Sequence, residues 1–341
     1  LELSFNGKIN NKMAGFYRSS YINEKGDISY IGVSQFEESD ARRAFPCIDH
    51  PAAKATFSIT MIVKKDHFAL SNENIEEETI LPDGRKKVTF KTTPCMSTYL
   101  LFFGVGMFES IHNKENPAIR VWTVPGRIRD GAYSADFGLK ALSYCEDYFD
   151  IPYPLSKIDL IAVPDFAFGA MENWGAITFR ENLLLYNKSS TSRSAEQRIC
   201  EVIAHEIVHQ WFGNLVTPSD WKFLWLNESF ATFFGFEIVG FYNPNWDVWD
   251  QFIFTQTAPA LIRDSLIDTI PIEITGGEHV VINTSTAPII YNKGGSLLRQ
   301  MRQFIGEAAF KKGLRKYIRD NAYANAESMD LWKSFQEVSD I

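Results

Sequence analysis

The sequence predicts an α+β protein, β-rich over residues 1–105 and mostly helical over residues 106–341. Three observations predict it. Strand-like alternation recurs in the first hundred positions, with no long helical period among them. Three-to-four spacing of apolar residues takes over behind, at residues 131–149, 296–304, 307–319 and 327–338. Between them runs an amphipathic stretch, Val202 to Trp211, with two histidines four residues apart.

In the front part, Thr56–Val63 alternates like a half-buried strand, and Lys87–Thr92 does the same after the turn signal Pro82-Asp83-Gly84. Tyr99–Val105 is a continuous apolar run and reads as a fully buried strand. The pattern then changes near Phe108. Phe137, Leu139, Leu142, Tyr144, Cys145 and Phe149 give residues 131–149 a helical stripe, with Pro152 beyond its end. Ile158–Val163 and Ala176–Phe179 read as strands flanking a Gly-rich turn from Phe166 to Gly175, and Lys188–Ser194 reads as a polar loop. Ser194 with Gln197 fits a capping box for the following helix, and Gly213 fits its end. The aromatics from Trp211 to Phe236 read as core rather than as a ligand cage. There is no internal repeat, low-complexity tract or coiled coil.

Length and composition set limits. At 341 residues, the chain can form two or three domains or one large two-lobed unit. Hydrophobic content of 45% and charged content of 22% are those of a globular protein, and a net charge of -8 argues against nucleic acid as the main partner. No run reaches eighteen apolar residues, so no membrane span is expected, and no signal peptide is visible. Cys47, Cys95, Cys145 and Cys200 form no Cys-x-x-Cys and read as reduced thiols of a cytoplasmic protein. Three sequons, at Asn187, Asn227 and Asn283, are treated as chance occurrences. The chain starts without Met and is expected to be part of a longer protein.

The chemistry concentrates in His205-Glu206-Ile207-Val208-His209. On a helix, positions four apart share a face, so both imidazoles can reach one ion. Glu206, about 100° round from His205, can reach a water on that ion without being a ligand. This is the pattern of a two-histidine zinc hydrolase with the glutamate as general base. A catalytic zinc needs a third protein ligand. Glu228, in the apolar run Leu224–Phe230, would be costly to bury unless paired or metal-bound, and a turn through Pro218 could bring it to the same ion. A coincidental surface pentad is the competing reading. His50, His67, His112 and His279 have no partner at helical spacing and read as structural or surface residues.

Together these pieces resemble the gluzincin aminopeptidases typified by aminopeptidase N, with the nearest look to archaeal tricorn-interacting factors. His205 to His209 followed by Glu228 matches the zinc signature, and Gly169-Ala170-Met171-Glu172-Asn173 matches the exopeptidase motif. Tyr291-Asn292-Lys293-Gly294 looks like the catalytic-tyrosine segment, and Gln35-Phe36-Glu37 through Cys47 looks like the end of the N-terminal β-domain. The resemblance implies that residues 1–105 are the C-terminal part of a saddle-shaped β-domain. It implies that residues 106–341 are a thermolysin-like catalytic domain, with a further helical domain absent. One departure is Lys222-Phe223, where relatives often carry an acidic residue.

The resemblance also implies roles. One Zn2+ would be held by His205, His209 and Glu228, with Glu206 as general base and Tyr291 as donor to the oxyanion. Glu172 and Glu37 would anchor a free α-ammonium, and Gln35 would line the side-chain pocket beside the Gly169–Asn173 loop. Bottom-up, Glu172 is an ordinary turn residue and Tyr291 an ordinary packing residue. The implied partners are peptides with free amino termini and, upstream, a proteasome-like or tricorn-like protease. An endopeptidase or epoxide hydrolase on the same fold, and a non-catalytic scaffold, remain alternatives.

Overall fold

The computed structural model describes residues 1–274 and 282–339, so His279 lies outside the described residues. Two compact units divide the chain. One comprises Leu1–Ala132 and Leu155–Leu185; the other comprises Tyr133–Pro154 and Tyr186–Ile341.

The first unit is built of strands. A four-stranded antiparallel sheet runs in the order Gly15–Ile22, Ile28–Gln35, Gly104–Gly106, Phe68–Leu70. A three-stranded antiparallel sheet places Lys86–Phe90 between Thr60–Val63 and Ile75–Ile80. Its hairpin turns at Gly84, which takes φ +84°, a conformation glycine adopts without a Cβ penalty. The third sheet is mixed, in the order Ala170–Met171, Ala176–Arg180, Ile158–Val163, Ile119–Thr123, Glu109–His112. Ile158–Val163 is parallel to both neighbours and buried at every position, its one charged residue, Asp159, being paired with Lys157 and Arg120.

Tyr99–Val105 differs from expectation. Thr98–Leu100 is a 3-10 turn, and only Gly104–Gly106 pairs as a strand. The segment is buried, but Asn72 takes over part of the ladder's work. Its side chain donates to Leu100 O at 2.7 Å and accepts from Phe102 N at 2.9 Å. Burial alone therefore predicted a strand where side-chain hydrogen bonds satisfy the backbone. Within Thr56–Val63 the regular strand is Thr60–Val63, while Ile59 O and Phe57 O still accept from Phe90 N and Thr93 N at 3.0 Å.

The second unit is helical. Its helices are α1 (Ala132–Phe149), α2 (Arg193–Val208), α3 (Trp225–Tyr242), α4 (Val248–Phe252), α5 (Ala258–Asp264), α6 (Gly294–Ile305), α7 (Glu307–Asp320) and α8 (Ser328–Gln336). α1 stops at Asp150, whose left-handed φ of +57° lets its N–H return to Glu146 O. Wide π-type turns, Ile253–Thr257 and Pro288–Lys293, lead into α5 and α6. The core is aromatic. Phe212 stacks on Phe230 with centroids 4.3 Å apart, and Phe149 packs edge-on against Phe212 and Phe234. Trp211, Phe212, Trp221, Trp225, Phe230, Phe233, Phe234 and Phe236 are all buried, as core residues should be. Asn227 of one sequon is buried as well, leaving no room for a glycan.

Candidate active site

α2 forms because its buried face, Ile199, Cys200, Ile203, Ala204, Ile207 and Val208, recurs at helical spacing. The cap is Ser192, not Ser194. The Ser192 hydroxyl accepts from Ala195 N at 3.2 Å, and Ser194 already lies within the first turn. The helix also ends early. Val208 is its last residue, His209 is its C-cap, and the chain bends through Gln210–Phe212 before Gly213 at φ +123°. There the side chains of Trp211 and Phe212 drop into the core, and Asn214 N returns to His209 O at 3.1 Å. α3 packs against α2 closely because Gly235 has no side chain. A Cβ there would stand 3.3 Å from Glu201 O and 3.8 Å from His205 Cβ.

That close packing delivers Glu228, in the first turn of α3, to both histidines. Glu228 Oε2 lies 3.2 Å from His205 Nε2 and 3.3 Å from His209 Nε2. Ligand atoms on a tetrahedral zinc, with bonds of about 2.0–2.1 Å, stand about 3.3 Å apart. Two imidazoles and one carboxylate are also the donor set of a catalytic zinc with its fourth position open. The residues therefore fit the ion.

Their electrostatics fit as well. Burial pushes His205 down to about 4, against the opposing effect of a hydrogen bond to Glu228, so its imidazole is neutral as a ligand must be. Burial alone would raise Glu228, but the flanking imidazoles of His209 and His205 outweigh it and bring the carboxyl down to about 2. His209 Nδ1 lies 3.0 Å from Phe212 O. As the donor to that carbonyl, it orients the ring and leaves Nε2 facing Glu228.

Glu206 follows His205 on α2 and is buried, with a carboxylate oxygen within 4.8 Å of a His209 ring nitrogen. Tyr291 lies in the Pro288–Lys293 turn. Its ring is nearly parallel to that of His205, at 10° and 6.1 Å between centroids. The five residues expected around the ion therefore gather in one unit. Sequence spacing alone could not have found Tyr291, 63 positions beyond Glu228.

The other candidates belong to the strand-built unit. Gly169, Ala170 and Met171 lead along a short edge strand paired to Thr178 and Phe179. Glu172 follows, 3% exposed. Asn173 is buried, and its Nδ2 donates to Thr178 Oγ1 at 3.2 Å. The loop is held from beneath. Trp174 O accepts from Asn72 at 2.9 Å, and Gly175 O accepts from the buried Lys157 ammonium at 2.6 Å. Gln35 ends the second strand of the four-stranded sheet. Both of its amide atoms are buried with no hydrogen-bond partner among the described residues. Glu37, two residues on, is half-buried.

Two histidines and one carboxylate with an adjacent glutamate, all in the helical unit, form the donor set of a His-Glu-x-x-His metal centre. Residues 133–341 match the Peptidase family M1 domain, and residues 1–100 match the Peptidase M1 N-terminal domain. The chain belongs to peptidase family M1. It is 46% identical to probable aminopeptidase 2 of Sulfurisphaera tokodaii, over 99% of this chain and 43% of that protein. It is 44% identical to leucyl aminopeptidase of Saccharolobus solfataricus, over 100% of this chain and 43% of that protein. It is 43% identical to puromycin-sensitive aminopeptidase of Caenorhabditis elegans, over 99% and 36%. The chain thus spans about two fifths of the length of these relatives.

Proposed function

We propose that this chain carries the catalytic centre of a zinc aminopeptidase that removes the first residue from peptides with a free amino terminus. The observation that carries the reading is the convergence of His205, His209 and Glu228 at ligand-to-ligand spacing, with Glu206 beside them. When bound, one Zn2+ supplies a Lewis acid that lowers the pKa of a water toward about 7 and polarises a carbonyl.

The rest is done by the chain's own side chains. Glu206 takes the proton of the attacking water and passes it to the leaving amine. The Tyr291 hydroxyl donates to the oxygen that becomes negative in the tetrahedral intermediate. Glu172 and Glu37 take the α-ammonium through charge-assisted hydrogen bonds, so that the first peptide bond is the one presented. Burial of Glu172 supports that role, because a desolvated carboxylate gains from a cationic partner. Gln35, with its amide unpartnered among the described residues, lines the pocket for the first side chain, and Gly169, Ala170, Met171 and Asn173 line the peptide backbone. The peptides are those left by an upstream protease of the proteasome-like or tricorn-like kind, in the cytoplasm.

A panel of fluorogenic aminoacyl amides, assayed with and without chelator, tests the reading. Hydrolysis that chelator stops and zinc restores is expected. Acetylated amides should be turned over at least about a hundredfold more slowly, since they offer no ammonium for a charged hydrogen bond. Internal cleavage of a blocked peptide at a comparable rate would favour an endopeptidase instead.

A further inference from the structure

The segment that carries Tyr291 is fastened to the helix that carries Glu228, and the fastening runs through the residue next to that ligand. Ser229 is fully buried and donates its Oγ–H to Ile290 O at 2.7 Å. Beyond Tyr291, Gly294 comes so near that a Cβ there would lie 1.8 Å from Ser229 Oγ and 2.7 Å from Ser229 Cβ. Gly295 meets the next part of the same helix face, where its Cβ would stand 3.3 Å from Thr232 Cγ2. On the far side of the segment, Asn292 Nδ2 donates to Gln256, and Lys293 pairs with Asp264 at 2.8 Å. The π-type turn between these holds is an uncommon geometry that occurs often at functional sites.

We propose that Ser229 is a positioning residue for the reaction. Its bond to Ile290 O, with Gly294 seated against it, fixes the Tyr291 hydroxyl in register with Glu228 and therefore with the reacting carbonyl. The proposal rests on the reading of Tyr291 as oxyanion donor. Such a donor acts only at the place where charge develops, so a small rotation of the turn weakens transition-state stabilisation and leaves ground-state binding alone. Ser229 contributes no ligand atom and no proton. Its effect passes entirely through Tyr291.

The test is a double-mutant cycle on a free-amino aminoacyl amide. Ser229→Ala is expected to lower kcat about tenfold or more, with KM and metal content within about twofold of the parent. Tyr291→Phe is expected to lower kcat about 10²–10³-fold, and the double variant should be no slower than Tyr291→Phe alone. In metal-free protein, amide exchange over residues 288–294 should quicken in Ser229→Ala while that of α2 is unchanged. Gly294→Ala, which drives the turn off Ser229, should reproduce the kcat loss at parental metal content. Additive losses in the double variant, or parental kcat in Ser229→Ala, overturn the proposal alone. Parental kcat in Tyr291→Phe overturns the role of the tyrosine and the proposal with it.

Discussion

Glu206 and Glu228 are both buried carboxylates on packed helices, yet their surroundings give them different tasks. Glu228 faces two imidazole nitrogens at 3.2 and 3.3 Å, the placement of the proposed ligand. Glu206 comes from the same helix as His205, with a carboxylate oxygen within 4.8 Å of a His209 ring nitrogen, and is the proposed base. Glu206→Gln keeps the shape and removes the base. It is expected to lower kcat about 10²–10⁴-fold while zinc content by mass spectrometry stays at one per chain. Loss of zinc in that variant would make Glu206 a ligand instead.

His205 and Glu228 add to the acid sensitivity of the metal-free protein. His205 is held down to about 4, below the ordinary histidine value, so the unfolded chain binds its proton first. Folding stability therefore falls as pH drops from about 6.5 toward 4. Glu228, held at about 2, adds a loss in the same direction as pH falls from about 4.5 toward 2. Urea titrations of chelated protein should show midpoints decreasing across that range. The decrease between about pH 6.5 and 4.5 should be smaller in His205→Phe.

At the level of elements, Gly235 shows how α2 and α3 make the site. Its hydrogen stands where a Cβ would press on Glu201 O at 3.3 Å, one turn before His205. Gly235→Ala should wedge the helices apart, with a loss of about 1–3 kcal/mol in stability and weaker zinc binding, read by thermal melts and a competitive chelator titration. Unchanged metal affinity would show that the contact yields without moving the ligands.

The helices themselves were legible in sequence because they bury a stripe. The predicted helices at 131–149, 296–304, 307–319 and 327–338 correspond to α1, α6, α7 and α8. The hairpin Gly15–Ile22 with Ile28–Gln35 was not legible. Its inward positions include Gly15 and Ser19, so the apolar alternation is faint. The end of α2 was hidden for another reason. Apolar Trp211 and Phe212 continue the pattern after the helix has stopped, because the core, not the helix, takes them. The two histidines and Glu206 were legible from spacing alone. Glu228 needed the helix pairing, and the turn holding Tyr291 rests on a bond donated by Ser229 and one accepted by Gln256, which no local pattern announces.

For the whole molecule, the proposed ion would be a ligand of the folded chain alone. Its donors come from positions 205, 209 and 228 on two helices, and they stand together only when α2 and α3 are packed. Whatever binds the native state alone stabilises it by RT ln(1 + [L]/Kd), about 2.7 kcal/mol at a hundredfold excess over Kd. At about 2–4 °C per kcal/mol for a body of 150–250 residues, chelation should lower the melting temperature by several degrees. His205→Ala lacks one donor and should melt at nearly the same temperature with and without chelator. Glu206→Gln keeps all three and should retain the full shift although its turnover is gone. That pair of melts separates holding the ion from using it: an equal shift in both variants would mean that the stabilising ion sits elsewhere than between α2 and α3.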